Sequence, residues 1–499
     1  MTLADLLREA HPQPCAPFPR HVLGAEVWGA MGPLAEAVDL LGMWADPLYA
    51  HALLHERGGA FAFVSVPVEA GAYPSLAAHW PAAAWFERMI HDLWGHTASG
   101  NAEQRPWLDH GRWAITAPLS PRPPAHAGAV EQPEFLTAEG AGEGEDIHQI
   151  PVGPVHAGII EPGHFRFHAQ GELIVRLEIR LGWLHKGTLS MMRGTTPRAA
   201  ARFAARLSGD TTVAHSVAFA RAAEAACATA PPARAIALRA VMTEMERIAN
   251  HLGDCGALAG DAAFAFLPAR FGYHREAMLR AAAAGFGHRL MMDAVIPGGV
   301  AADLATPAPI LAALAGIEAE MPNLLRIYDD YASLADRMVT TGIVEPELAA
   351  RFAAGGHVGR ASGRSFDCRV TPGYPPYDTL NPAVPVLTAG DVDARVRIRI
   401  AEIQESTRLI RTLLTPLPDG PLAVQLPMVS AEGLGWAEGF RGDIWHWLRL
   451  EGGLISAVFM RDPSWLQWPL LQSAVRGNIV ADFPLCNKSF NCSYSGVDL

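Results

Sequence analysis

Residues 116–150 do most to limit how this chain can fold. The stretch runs APLSPRPPAHAGAV and, a few residues later, AEGAGEGED. Proline removes backbone donors, glycine loosens the backbone and no apolar period survives, so it reads as a linker or long surface loop. The chain then divides into a small domain at 1–115, the linker at 116–150 and a large domain at 151–499. Length supports the division: 499 residues, half of them hydrophobic, exceed one compact core. Charged residues are 18% of the chain, a globular and not a disordered composition.

Several function classes are disfavoured at once. The formal net charge is -12 and no Lys/Arg block occurs, so nucleic acid is a poor partner. Six cysteines, Cys15, Cys227, Cys255, Cys368, Cys486 and Cys492, include no C-x-x-C pair. That pattern suits a reducing compartment and argues against an iron–sulfur cluster in this chain. The N-terminus carries Asp5, Arg8 and Glu9 and lacks an apolar signal core. Residues 277–300 are apolar but are broken by Arg280, His288, Arg289 and Asp293, so no membrane span is expected. The chain is expected to be soluble, or peripheral to a membrane through partners. No P-loop, nucleophile triad or dinucleotide fingerprint appears, so nothing in the sequence places a nicotinamide on this chain.

Periodicity sets out the elements. Residues 60–66 (AFAFVSV) and 171–181 (GELIVRLEIRL) alternate like strands. Residues 80–95 read as an amphipathic helix, and 197–207, 213–229, 233–258, 309–335 and 391–414 follow a 3.6-residue period. Short strands are expected again at 442–450 and 453–459. The fold class is α+β: a small α/β domain, then a large, mainly helical domain with short β-sheets.

Separate motifs point to one family. WFERMIHDLWG at 85–95 resembles the E-R-E-x-x-D-[LM]-[FW]-G segment of the 30-kDa subunit of complex I. In the large domain, GPVHAGIIEPGHFRF (153–167), LGWLHKG (181–187), TEMERIANHL (243–252), EGFRGD (438–443) and VRGNIVADFPL (475–485) resemble the 49-kDa subunit and its hydrogenase cousins. The spelling GIIEPGHFRF is closer to the formate-hydrogenlyase-type, group 4 energy-converting hydrogenases, which also fuse the two modules. The resemblance spans nearly the whole chain, in the family's order.

In those hydrogenases nickel and iron are held by four cysteines, in R-[IV]-C-G-I-C-S-x-A-H and D-P-C-x-x-C. Here the first motif reads RLSGDTTVAHS (206–216) and the second SFNCSYSGVD (489–498). The ligand positions become Ser208, Thr211, Ser493 and Gly496, while Cys492 stands at the family's proline position. Hydroxyls and a glycine cannot replace polarizable thiolates, so the resemblance implies a relative without nickel. The chain ends at Leu499, without the tail that such hydrogenases usually carry, which fits that expectation. A hard ion such as magnesium on Ser208, Asp210, Thr211 and Asp498 is the alternative occupant.

Candidate catalytic residues follow from the same alignment. His156 matches the complex I histidine of G-P-x-H-P, which would hydrogen-bond or protonate a quinone oxygen; otherwise it orders a β-turn. Phe203 stands where complex I has a tyrosine and has no hydroxyl, which puts quinone chemistry of that type in doubt. Asp210, if enclosed in a cavity, would have a raised pKa and carry protons; otherwise it caps the next helix. Arg441 matches the arginine over the hydrogenase active site, or else forms a salt bridge with Glu438 or Asp443. His215, one turn beyond Thr211, lines the cavity or is a satisfied core histidine. Glu161 and His164 flank a loop, and the acid matches a hydrogenase proton relay, or else the adjacent Pro162 simply makes a rigid turn; Glu244, Glu246, Arg247 and His251 read as structural. Glu87, Arg88 and Asp92 are expected to fix contacts with neighbouring subunits.

The resemblance implies a nickel-free large subunit of a membrane-associated, hydrogenase-4-like or NADH-quinone-oxidoreductase-like complex on the cytoplasmic face of the inner membrane. Its partners would be a small iron–sulfur subunit and antiporter-like membrane subunits. Electrons would pass to quinone or another acceptor, coupled to ion translocation. No cofactor is expected on this chain; NAD and quinone belong to the family. The alternative is a catalytically silent structural subunit.

Overall fold

The computed structural model describes residues 2–8, 10–124, 134–135, 147–158 and 160–499. Of the linker, 125–133 and 136–146 lie outside the described residues.

The small N-terminal part is a five-stranded sheet in the order His11–Gln13, Arg20–Val22, Phe61–Pro67, Tyr49–Glu56, Val38–Ala45. Arg20–Val22 pairs parallel with Phe61–Pro67 and the other neighbours are antiparallel. The helix Ala83–Trp94 lays Phe86, Met89, Ile90 and Leu93 into the core, and Gly95, at φ 76°, stops it. The motif residues on this helix turn inward. Glu87 accepts from Ser75 Oγ (2.8 Å) and Leu76 N (2.7 Å). Arg88 donates to the carbonyls of Arg105 and Pro106, and Asp92 accepts from the amides of Trp107 and Leu108. Glu87 thus holds the 75–76 segment while Arg88 and Asp92 pin 105–108, so the polar ends of all three are bonded within the chain rather than offered to a neighbouring subunit.

The large part is built on long helices. Ala233–Asp261 packs against Phe266–Phe286 and Val392–Leu413. The period at 309–335 resolves into Ala308–Asp330 and Ala332–Met338, broken at Tyr331, whose backbone is extended (φ -94°, ψ 90°). Near its start lies an antiparallel sheet of Ile147–Val152, His164–Gln170 and Leu173–Arg180. Near its end lies an antiparallel meander of Ala431–Gly439, Gly442–Glu451 and Leu454–Arg461.

The meander positions the site. Gly439 pairs with Gly442, so Phe440 and Arg441 form a two-residue hairpin tip. Its first strand lies directly on the helix Thr212–Ala226: a Cβ on Gly433 or Gly435 would stand 2.1 Å from Ala222 O or 2.2 Å from Ala218 O. This close approach brings the hairpin tip to the start of that helix.

Small and large parts share one core. Phe18 stacks on Trp436, Trp44 on Phe459 and Phe86 on Trp465, at centroid separations of 5.6, 5.4 and 4.9 Å. Backbone bonds between Ala16 and Glu432–Leu434 and the buried Arg364–Asp39 pair (2.6 Å) add polar registration. Among the described residues no helix is long and apolar enough to cross a membrane.

Candidate functional site

The turn Ser208–Thr211, the hairpin tip at Arg441 and the C-terminal tail meet at one locus. Arg441 grips Asp210 with both ends of its fork, Nη1 to Oδ1 at 2.7 Å and Nη2 to Oδ2 at 2.5 Å. Its Nη1 also donates to Thr211 Oγ1 (2.7 Å), and its Nε donates to the Asn491 carbonyl. Asp210 Oδ1 accepts further bonds from Ser208 Oγ (3.0 Å) and Thr211 Oγ1 (2.9 Å). Ser493 Oγ donates to Ser208 Oγ at 2.8 Å, since the Ser208 hydroxyl proton is used on Asp210.

This geometry corrects two expectations. Burial would raise the Asp210 carboxyl, but the Arg441 guanidinium overrides it and holds the group at about 2. Asp210 is thus a fixed anion and not a proton carrier with a raised pKa. Arg441 pairs with Asp210 and not with Glu438 or Asp443, which are taken by Arg360 and Arg461.

Nor does Asp210 cap the helix Thr212–Ala226. Thr211, at the cap position, makes no side-chain bond to the first turn. The open amides of Val213 and Ala214 are taken by the Glu246 carboxyl, at 2.7 and 3.0 Å, reaching across from the helix Ala233–Asp261. Burial pushes Glu246 up to about 8. In the sequence Glu246 reads only as a structural helix residue, because a cap supplied from another helix has no local signal.

His215 does not line a cavity. It is fully buried, with Nε2 2.9 Å from Asp462 Oδ2 and Nδ1 3.0 Å from His446 Nε2. Burial raises the Asp462 carboxyl, but the hydrogen bond from His215 leaves it below its usual value. Burial and the neighbouring His215 hold His446 well below the usual histidine range. Asp462 also accepts from Ser464 N, and Ser464 Oγ accepts from Ser493 N, so the histidine pair is tied to the tail.

The tail itself is closed. A Cβ on Gly496 would stand 2.7 Å from Asp462 Cγ and 2.9 Å from Ser493 Oγ, so the position has no room for a side chain. Asp498 is turned away from Asp210: its carboxylate accepts from Gly182 N and Leu184 N, both at 2.8 Å. It therefore does not join Ser208, Asp210 and Thr211 as an ion ligand. Cys492 Sγ lies 3.9 Å from Gln467 Oε1, and burial pushes the thiol up, away from thiolate.

His156 stands apart from this cluster. Its Nε2 donates to Gly163 O at 2.7 Å, closing the 153–163 loop. Glu161, on that loop, accepts from Tyr494 N (3.2 Å) and Ser495 N (3.4 Å), which laces the loop to the tail. His164 Nδ1 lies 3.2 Å from Gly153 O. Phe203 is partly buried, with Arg202 over its ring. Asp210, Arg441 and the four substituted positions thus share one locus; His215 backs it from the core, and His156 is linked to it indirectly, through Glu161 and the tail and through Phe165 and Trp468.

Comparison with known proteins places the chain. The family model of the 49-kDa subunit of respiratory-chain NADH dehydrogenase matches residues 266–433, and that of the 30-kDa subunit matches 47–127. An NADH-quinone oxidoreductase subunit of Acidiphilium cryptum (strain JF-5) is 31% identical over 288 residues, covering 56% of this chain and 70% of that protein. The chain belongs to the complex I 49-kDa family. Within this family it is also 29% identical to formate hydrogenlyase subunit 5 of Escherichia coli (strain K12), over 89% of this chain and 81% of that one. A chain of the archaeal membrane-bound sulfane sulfur reductase shares its fold, with a TM-score of 0.67 at 21% identity, covering 72% of this chain and all of the other.

The four positions at which the family resemblance expects metal-binding thiolates carry none, and their side chains are engaged otherwise. Ser208 and Ser493 bond each other, Thr211 bonds Asp210 and Arg441, and Gly496 admits no side chain. Among the described residues no group of three or more His, Cys, Asp or Glu side chains is arranged to hold a metal ion.

Proposed function

We propose that this member of the 49-kDa family is a nickel-free large subunit of a membrane-associated oxidoreductase complex on the cytoplasmic face of the inner membrane. A partner iron–sulfur subunit would deliver electrons to quinone or another acceptor beside the 153–163 loop and the tail, coupled to ion translocation in antiporter-like partners. The observation that carries the reading is the Asp210–Arg441 ion pair, seated among the four positions where thiolates would stand. The His156 loop adds support. It presents Val155 and Ile160, 73% and 49% exposed, as an apolar face of the kind that a partner subunit covers.

A second reading is a catalytically silent structural subunit. It is favoured by the engagement of Asp210, Arg441 and His215 with one another's neighbours and with internal groups, which leaves them little to offer a substrate.

One experiment separates the readings. The native complex is isolated through a tag on this chain, and metal content is measured with dye reduction by dihydrogen, formate, NADH and quinol. Iron without nickel, with turnover that falls in His156→Ala, is the expected result. Stoichiometric nickel or dihydrogen uptake overturns the nickel-free reading. Iron with no turnover for any pair selects the structural subunit.

A further inference from the structure

A cavity lies behind the Ser208–Thr211 turn, between the helices Ala233–Asp261 and Phe266–Phe286 and the 287–291 loop. It measures about 120 Å³. Glu246, Ala249 and Asn250 face it from one helix, and Arg275, Met278, Leu279 and Ala282 from the other, each set at one-turn spacing. The body is apolar and soft, lined by Met245, Met278, Met291, Leu279 and Leu290. Methionine walls adapt to the shape of an aliphatic guest.

At the polar end Asp210 and Arg289 also reach the wall, but they are already paired, with Arg441 and with Glu276, and three further groups line it. Asn250 Nδ2 donates to the carbonyls of Asp210 (2.8 Å) and Glu246 (3.0 Å), which fixes the amide at the cavity wall. Glu246 is buried, and with its carboxyl pushed up to about 8 it keeps a proton at neutral pH. It then has one O–H to donate and no charge to repel an anion. Arg275 is held flat against the opposite helix, where a Cβ on Gly253 would stand 2.9 Å from its Cδ and 3.0 Å from its Nε. Among the described residues Arg275 makes no ion pair or hydrogen bond, whereas Arg280 and Arg289 beside it are both held by Glu276. In a chain with 51 acidic residues against 39 basic ones, an unmatched guanidinium on a cavity wall marks a place for an anion.

We propose that this crevice binds a short-chain aliphatic monocarboxylate, with its carboxylate on Arg275 and its tail among the methionines. The size agrees: an apolar cavity of about 150 Å³ accommodates benzene, so this one suits a tail of about three or four carbons. The inference stands apart from the electron-transfer reading, since none of its groups needs to touch an electron acceptor.

The test is ligand-observed NMR on the isolated complex with butyrate and with its neutral isostere, butanamide. Butyrate binds at least about tenfold tighter than butanamide, because only the anion forms charge-assisted bonds to Arg275. Arg275→Gln weakens butyrate by about tenfold or more and leaves butanamide unchanged. Met278→Phe, which fills the tail space, removes both. Equal binding of butyrate and butanamide to the unaltered protein identifies an apolar void only and overturns the proposal, as does the absence of butyrate binding at millimolar concentration. These comparisons need no variant, so a misfolded variant leaves the proposal falsifiable.

Discussion

At the residue scale, the locus is decided by which charges find each other. Asp210 and Arg441 are 231 residues apart in the chain and form a bidentate pair. Removing the arginine strands the carboxylate. Arg441→Met should destabilise the protein by about 1–3 kcal/mol in chemical denaturation, below the range for a fully buried pair because the Asp210 side chain is 38% exposed. The pH dependence has a definite sign. The Asp210 pKa is depressed from 3.8 to about 2, so its contribution is present above pH 4 and is lost as pH falls through 2. Asp210→Asn should flatten that part of the acid limb of a stability–pH curve; an unchanged limb refutes the pair's role. Gly496 supplies a steric counterpart. Restoring cysteine at positions 208, 211, 493 and 496 together should not restore nickel binding, since a side chain at 496 overlaps Asp462. Metal analysis of that variant checks the point.

At the element scale, the helix Thr212–Ala226 depends on a cap from another helix. Glu246 accepts two of its open amides while kept largely protonated by burial. A carboxyl raised from 4.5 to about 8 contributes stability that is fully present below pH 4.5 and is lost as pH rises through 8. Glu246→Gln, which retains an amide oxygen as acceptor, should remove that fall, measured as thermal midpoint against pH between 5 and 9. The same helix lies on a strand that only glycine can line. Gly435→Val would drive a side chain into the Ala218 carbonyl and separate helix from meander, and a loss of folded yield is expected.

At the scale of the whole molecule, the small and large parts are joined by a core and not only by a linker. The strand Val38–Ala45 is buried on both faces, covered by the helix Ala83–Trp94 on one side and by Phe459 and Trp447 on the other. Trp44→Ala should therefore cost about 3–5 kcal/mol and lower a single calorimetric transition. Two separate transitions, with only one of them moved, would show independent domains instead.

Family, fold class and most helices were legible in the sequence because they rest on local information. Amphipathic period marked 80–95 and 391–414, and the structure forms Ala83–Trp94 and Val392–Leu413 there. The motifs at 206–216, 438–443 and 489–498 carry the residues that meet at the candidate locus, and none of the four substituted positions carries a thiol. The strands Val38–Ala45 and Tyr49–Glu56 were not legible, since burial on both faces erases the two-residue alternation that marks a strand. Spacing brought His215 to the right helix face but could not tell a cavity from the packed Asp462 and His446. Only the tertiary structure decided the partners of Asp210, Arg441 and Glu246. A charge in a folded chain takes its protonation state from what packing brings within a few ångströms, and those neighbours here come from hundreds of residues away or from another helix.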